Sequence, residues 1–366
     1  MDKNDEVKVN LSIIDVEKKY NYDADEVISA SRSYVNYGKD NKFPNFLKNL
    51  YENSATLGSI INGSTNYTIG SGVSASENAA KWKDSVNRRG DTLYDIVNSI
   101  ALDYWIYRGF AIQVIYSKLG NVAEIYALDF SKCRVDEYRQ KIYYFKKGCT
   151  LYSNKYEVYD AFDGKYNPER PTQILYFTDG SRSVYPKPKW QAAIKDVLTE
   201  IEATEYSLNS ISNGLSARYI LTMPSSSNLT KEQKDLIEKG IKEKFTGSDT
   251  PSNFMVYFAT GTEELKATPI TADEQNEKFT SIKKAARENI FTSMQAVPAI
   301  FGLMNETSGF SEQEFKEAFK LYYATQIKPV QAKINKQVSR ALGVNNALVF
   351  SPMIIDWGDE DSDASN

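Results

Sequence analysis

The spacing of apolar residues changes twice along the chain, from a helical period to a period of two and back again. A first helix is predicted from Asn41-Lys42-Phe43-Pro44 to about Ile61, and a second follows Asp91, which can cap its free amide groups. Between Phe110 and Phe177, four strand-like runs alternate apolar and polar residues and are separated by Gly, Asn and Asp turns. Helices followed by consecutive strands predict an α+β fold with an antiparallel sheet, because a doubly wound fold would alternate the two.

Two long amphipathic helices follow the sheet. The first runs from Trp190 to about Ser212 with apolar residues at every seventh position, and the second runs from about Ala272 to Ala296. Between them, two strand-like segments and a helix predict a small α/β insert. A seven-residue stripe needs a partner helix to cover it. We therefore predict that both helices pack along neighbouring helices through Ile194, Val197, Ile201, Leu208, Ile211, Phe279, Ile282 and Ile290.

The second long helix ends at Val297-Pro298 and leads into a polar loop that contains glycine. This loop comprises Met304, Asn305, Glu306, Thr307, Ser308 and Gly309. A third helix begins near Ser311, and Pro329 is expected to kink it. A last strand precedes an acidic tail, residues 356–366, which we predict to be disordered. Two long helices joined by a polar loop indicate a mechanical part rather than a catalytic site.

The composition excludes several classes of function. The chain has 366 residues and a net charge of -4, so it lacks the overall basic charge of proteins that grip nucleic acid phosphates. No apolar run is long enough to span a membrane, and the polar start predicts a cytosolic origin. The two cysteines, Cys133 and Cys149, are expected to be reduced core thiols. Histidine is absent, which excludes Ser-His-Asp and Cys-His catalysis and His-ligated zinc.

Motifs for cofactor chemistry are also missing from the sequence. Gly70-Ser71-Gly72 lacks the third glycine of a dinucleotide fingerprint, and no glycine-rich loop ends in Gly-Lys-Ser/Thr. We therefore predict no catalytic residues, no metal site and no cofactor. One alternative stays open, because Glu157, Asp160, Asp163 and Lys165 could form the magnesium site of a nuclease.

Several short motifs occur in a fixed order along the chain. They are Phe43-Pro44-Asn45-Phe46-Leu47, Ile69-Gly70-Ser71-Gly72, Asn213-Gly214, Leu229-Thr230-Lys231-Glu232-Gln233, Thr268-Pro269 and Val297-Pro298-Ala299-Ile300-Phe301-Gly302-Leu303. Over roughly residues 40–355, this order resembles phage portal proteins of the siphophage type, the family that forms the DNA gate at one vertex of tailed-phage heads. The resemblance rests on the whole set of motifs, since each is unspecific alone.

The resemblance implies a division of the chain into parts with separate roles. The parts are an N-terminal arm (1–40), a wing domain (41–185), a first stem helix (186–215), a clip (216–270), a second stem helix (271–298), a tunnel-loop region (299–310), a wing return helix and strand (311–355) and the acidic tail (356–366). The sequence departs from the family pattern in one respect, because no sizeable crown follows Leu342.

The resemblance also implies partners and a location. It implies a dodecameric ring of this chain at one capsid vertex of the virion, made in the cytoplasm of the host bacterium, with double-stranded DNA passing through its channel and no membrane. The other implied partners are the large terminase subunit, the head-tail adaptor, the major capsid protein and the scaffolding protein. Met304 to Gly309 would face the DNA, and partners would dock on the clip at Lys231, Glu232, Lys234, Asp235 and Glu238.

Two rival interpretations remain at this point. The first is the metal-dependent nuclease or another hydrolase of phage origin. The second is a different ring-forming head-tail connector, although such chains are usually shorter and lack the order of long helix, insert and long helix.

Overall fold

The computed structural model describes residues 26–28, 33–146, 156–180, 183–212, 218–225, 254–260, 266–270, 273–302 and 312–353. The chain divides into two compact units. The first consists of Met1–Glu52, Ile61–Lys189 and Ala299–Asn366, and the second of Asn53–Ile60 and Trp190–Pro298. Most of the predicted N-terminal arm and the acidic tail lie outside the described residues.

Helices and strands follow one another in the order that the apolar spacing predicts. The helices are α1 (Phe43–Asn53), α2 (Ala55–Ile69), α3 (Leu93–Tyr107), α4 (Ile194–Ser212), α5 (Asp273–Met294), α6 (Glu312–Tyr322) and α7 (Lys328–Leu342). The strands are β1 (Val27–Ile28), β2 (Val35–Asn36), β3 (Gly72–Ala75), β4 (Gly109–Tyr116), β5 (Val122–Leu128), β6 (Cys133–Val135), β7 (Lys141–Phe145), β8 (Tyr156–Ala161), β9 (Thr172–Thr178), β10 (Arg218–Ser225), β11 (Phe254–Thr260), β12 (Lys266–Ile270) and β13 (Leu348–Ser351).

A six-stranded sheet forms the centre of the first unit. Its strand order is β5-β4-β9-β8-β7-β6, and its neighbours are antiparallel except for the β8–β9 pair, which is parallel. One face is apolar: Phe110, Ile112 and Val114 of β4 are fully buried. Helix α7 packs against β4, β5 and β9. The α+β class is therefore confirmed, with a mixed sheet in place of the wholly antiparallel one.

The N-terminal helices differ in detail from the prediction. The predicted single helix is two, α1 and α2, separated at Ser54, and α2 continues past Gly63 to Ile69. Ser54 causes the new start, because its Oγ accepts a hydrogen bond from the amide of Leu57 at 3.1 Å. The cap of α3 is Thr92 rather than Asp91, since Thr92 and Asp95 form a capping box.

The third predicted helix contains an irregular turn before Pro329. Residues Tyr323–Ile327 form a π-helical turn between α6 and α7. Pro329 lacks the amide hydrogen that would bond to the carbonyl of Thr325, so a regular helix cannot continue through this point without an unpaired carbonyl and a steric clash. The sequence predicts a kink near Pro329, and the structure has a π-helical turn just before this residue.

Gly70 joins α2 to β3 in a conformation that requires glycine. Its φ is +65°, and a Cβ atom at this position would lie 2.2 Å from the carbonyl oxygen of Ser351, the last residue of β13. That oxygen accepts a hydrogen bond from the amide of Ser71 at 3.0 Å. The close approach therefore allows β3 to pair with β13.

We expect Gly70→Ala to lower the free energy of unfolding by at least about 3 kcal/mol, because it adds a steric clash to a left-handed backbone. Gly343→Ala is the matched control: Gly343 has a φ of +70°, and a Cβ atom added there would have no neighbour within 4 Å. The control should lose about 1 kcal/mol in urea denaturation. Equal losses in the two variants would show that the contact with Ser351 is unimportant.

The second unit contains the two long helices and a small sheet. Residues Gln191–Ala193 form a 3-10 turn that leads into α4, and α5 returns toward Pro298. The sheet has the order β11-β10-β12, with β10 parallel to β11 and antiparallel to β12. Parallel neighbours require a crossover connection, and the helix of the insert, which the sequence predicts from Thr230 to Phe245, would lie within it. That predicted helix lies outside the described residues.

Two smaller predictions can be compared with the described residues. Cys133 is a fully buried free thiol, as predicted, and burial raises its pKa. Cys149 lies outside the described residues. Among the helices of the described ranges, none has the length and apolar character needed to span a membrane.

Candidate functional site: the paired long helices

Helices α4 and α5 pack against each other in the second unit. The amide Nδ2 of Asn289, near the end of α5, donates to Oδ1 of Asp196, near the start of α4, at 2.8 Å. The 3-10 turn before α4 also contacts α5. Since the start of one helix meets the end of the other, the pair is antiparallel.

The apolar stripe of α4 is progressively more exposed along the helix. Ile194 and Val197 are buried, Ile201 is half-buried, and Leu208 is 62% exposed. These residues lie on one side of the helix, so their exposure to solvent increases with distance along the helix axis. The stripe therefore continues beyond the packing that covers its first two turns.

Helix α5 shows the same change in the opposite direction along the chain. Ile290 and Ala286 are buried, whereas Ile282, one turn before Ala286, is 46% exposed. All six residues from 280 to 285 are exposed. Six consecutive residues cover more than one turn of 3.6 residues, so every side of the helix is at least partly open to solvent there.

Leu208 and Ile282 lie toward the same end of the antiparallel pair, the end next to the insert. Exposed apolar side chains on a repeating stripe are typical of a helix that packs against another copy or another protein. The geometry of the described residues can therefore serve assembly.

The remaining predicted assembly and docking residues cannot be placed. The backbones of Ile211 and Phe279 lie within α4 and α5, but their side chains are outside the described part of the structure. The predicted tunnel loop, Met304 to Gly309, lies outside the described residues. So do the predicted docking residues Lys231, Glu232, Lys234, Asp235 and Glu238.

Glu200 of α4 is a structural residue that the sequence prediction missed. It is 4% exposed, and its carboxylate accepts hydrogen bonds from the hydroxyls of Ser54 and Thr56 and from the amide of Thr56 at 3.3 Å. These groups form the start of α2, where a helix presents free amides and partial positive charge. The sequence gives no signal for this role, because a glutamate beside an apolar stripe is usually exposed to solvent.

We expect Glu200→Ala to lower the free energy of unfolding by about 2 kcal/mol, because it leaves buried hydroxyls and a helix start without their acceptor. Glu205→Ala is the matched control on the same helix, since Glu205 is exposed. It should change stability by less than about 0.5 kcal/mol. Thermal and urea unfolding would measure both, and a neutral Glu200→Ala would contradict the assigned role.

The acidic residues of the nuclease alternative do not converge on one site. Glu157 and Asp160 are three residues apart on β8, so they point to opposite faces of the sheet. Lys141 and Arg170 pair with Asp160 and hold its pKa below the usual range. Asp163 accepts from the amide of Lys165 and from Gln173. Within the described ranges, no three His, Cys, Asp or Glu side chains could hold a metal ion together.

Solved structures share this fold at low sequence identity. A chain in the virion of a native gene transfer agent particle aligns with a TM-score of 0.56 and 13% identity, covering 83% of this chain and 82% of that one. A chain from the neck of a native gene transfer agent particle, computed with C12 symmetry, gives 0.56 and 13% over 89% and 85%. An HK97-family phage portal protein from Corynebacterium diphtheriae gives 0.51 and 10% over 80% and 90%.

Sequence comparison gives a direct assignment of the family. Curated proteins provide no significant match to the sequence. The family model described as phage portal protein, however, matches residues 89–364, which is most of the chain and includes the sheet, both long helices and the insert. The chain therefore belongs to the phage portal protein family.

Proposed function

We propose that copies of this chain associate side by side into a closed ring at one vertex of a phage or phage-like capsid, and that the ring conducts double-stranded DNA during packaging and ejection. The observation that carries the proposal is the exposure of Leu208 and Ile282 at one end of the antiparallel helix pair. Neither helix covers these residues of the other, so a neighbouring copy is the natural partner. A chain with a similar fold occurs in a gene transfer agent neck that was computed with C12 symmetry, which supports a ring of twelve copies.

The charges of the two helices fit a head-to-tail contact between copies. Near its exposed end, α4 carries Glu202 and Glu205, whereas α5 carries Lys283 and Lys284 beside Ile282, after the acidic residues Asp273, Glu274 and Glu277 at its start. A ring requires different surfaces of each copy to meet, because a two-fold contact would close at two copies. In such a ring, Glu205 of α4 would face the lysines beside Ile282 on α5 of the next copy, which is a contact between opposite charges.

The predicted packing residues take separate roles in this ring. Ile194, Val197 and Ile290 are buried within the single chain and stabilise the helix pair. Leu208 and Ile282 are assigned to the contact between copies. Ile201, Ile211 and Phe279 complete the two stripes.

The polar loop from Met304 to Gly309 is assigned to the DNA channel. Its short polar side chains offer hydrogen bonds without strong attraction to phosphates. Loose contact suits a channel, because each lysine or arginine that pairs with a phosphate would hold the moving duplex in place. The large terminase would supply the work of packaging while it is docked on the clip. After packaging, the head-tail adaptor would take its place there. Both would dock through Lys231, Glu232, Lys234, Asp235 and Glu238.

Deletion of residues 304–309 is expected to leave ring assembly intact and to abolish stable DNA packaging. A Gly/Ser linker of the same length is the matched control for chain connectivity, and it should restore packaging in part. The measurement is nuclease-protected DNA in particles assembled with each variant, with rings counted by electron microscopy. Normal packaging by the deletion variant would refute the role of the loop.

A further inference from the structure

Helix α7 is strongly basic, although the whole protein is acidic. It carries Lys328, Lys333, Lys336 and Arg340 and contains no Asp or Glu. Lys333 has a partner, because its ammonium donates to the carboxylate of Asp179 at 2.7 Å. Lys336 and Arg340 are exposed and lie one turn apart on one side of the helix.

Lys336 and Arg340 line a surface groove of about 620 Å3 that continues around the end of α7 to Asn345 and Asn346. Arg340 also lines a neighbouring cavity of about 160 Å3 together with Arg139. Neither lining contains an Asp or Glu side chain. Three cationic side chains therefore line two neighbouring cavities that share Arg340, and neither lining contains an acidic residue.

These cations have polar but not anionic partners in the described part of the chain. Arg139 donates to the carbonyl oxygen of Ser183 at 2.5 Å, and Arg340 donates to Oε1 of Gln337 at 2.8 Å. The ion pairs found among the described residues include neither arginine nor Lys336. Like charges four residues apart repel one another, so an anion between Lys336 and Arg340 would relieve this repulsion.

The partial negative charge at the C-terminal end of α7 repels an anion, but only weakly. The C-terminus of a helix carries about half a negative charge, whereas the three side chains carry three positive charges. The net field of the groove is therefore positive. Its lining extends from Ala332 on α7 to Asn346 beyond the helix end, which suits an extended acidic peptide better than a compact ion.

We propose that this groove, lined by Lys336 and Arg340 and adjoining the cavity that Arg139 lines, binds the acidic segment of the same polypeptide, residues 356–363. The segment contains five acidic residues and no basic one: Asp356, Asp359, Glu360, Asp361 and Asp363. Its charge is complementary to that of the groove. Arginine is well suited to hold carboxylates because its guanidinium can donate two parallel hydrogen bonds.

The length of the chain permits this contact. Met353, the last described residue, is seven positions after Asn346 at the groove, and this stretch spans at most about 24 Å. The ten residues from Met353 to Asp363 reach up to about 34 Å. Even at the full distance of about 24 Å, residues 360–363 at the end of the segment can therefore return to the groove of their own copy.

Carbodiimide cross-linking of the full-length protein tests the proposal, because this reagent joins lysine amines directly to carboxylates that they touch. Mass spectrometry should find residues 356–363 linked to Lys336 at least about fivefold more often than to Lys328, since only Lys336 lies in the groove. Lys328 is exposed on the same helix. The preference should disappear in 0.5 M NaCl.

Charge reversal provides the second measurement. Arg340→Glu should lower the Lys336 cross-link at least about threefold, because it replaces attraction by repulsion. Lys328→Glu is the matched control and should leave the yield unchanged, with circular dichroism confirming that both variants fold. Equal linking to Lys336 and Lys328 in the unmodified protein, absence of any link to residues 356–363, or an unchanged yield in folded Arg340→Glu would overturn the proposal.

Discussion

Replacement of both Leu208 and Ile282 by Asp is expected to abolish ring assembly while leaving each chain folded. Both side chains are exposed in the single chain, so the change costs little stability there. At each contact between copies it removes two apolar side chains and adds two charges. Loss of about 3 kcal/mol or more at every contact weakens association more than hundredfold.

Leu119→Asp is the matched control for this experiment. Leu119 is 88% exposed and lies between β4 and β5, away from either long helix in sequence. The control should assemble like the unmodified protein. Mass photometry and circular dichroism would report oligomer size and folding, and full-sized rings from the Leu208→Asp/Ile282→Asp variant would show that these helices do not form the contact.

Arg134→Met is expected to destabilise the first unit by about 3 kcal/mol or more, because it takes the donor away from several buried acceptors. The Arg134 side chain is fully buried in β6. Its guanidinium donates to the carbonyl oxygens of Ser131 at 2.8 Å, Cys133 at 2.7 Å and Asn41 at 2.7 Å, and to the side-chain oxygen of Asn41. A methionine side chain has no donor that could replace these hydrogen bonds.

The same network fixes the turn that precedes α1. Asn41 has a φ of +64°, and its side-chain oxygen also accepts from the amide of Tyr37 at 3.0 Å. Tyr37 stacks on Tyr185 with ring centroids 4.2 Å apart. Arg134 therefore connects β6 to the start of the helical segment, and its loss should affect both.

Arg88→Met is the matched control for Arg134→Met. The side chain of Arg88 is 85% exposed and pairs with Glu124, so its removal should cost less than about 1 kcal/mol. Arg134→Lys should fall between the two, since an ammonium cannot reproduce the planar fork. A neutral Arg134→Met in urea denaturation would mean that the cost of burying the charge offsets its hydrogen bonds.

Apolar spacing predicted the elements that depend on local pattern. The helices near Asn41 and Asp91, the strands between Phe110 and Phe177 and both long helices appear close to the predicted positions. Periodicity succeeded here because each element buries one face, and burial imposes the period of the element on the sequence. The resemblance to portal proteins rested on the order of short motifs along the chain, and the family match confirms it.

Features that depend on contacts between distant residues were not predictable in this way. The parallel pairing of β8 with β9, the burial of Glu200 against Ser54 and the hydrogen bonds of Arg134 join residues far apart in sequence. Their side chains alone carry no sign of their partners. The basic residues of α7 can be read directly from the sequence. The net charge of the whole chain, -4, gives no indication of this local basic surface.

Electron microscopy of the purified full-length protein tests the central claim most directly, because that claim is the association of many copies around an open pore. Class averages should show rings with a central hole and twelve-fold symmetry, at concentrations where a typical protein interface is saturated. Compact monomers or closed dimers without a hole, at every concentration measured, would contradict the account.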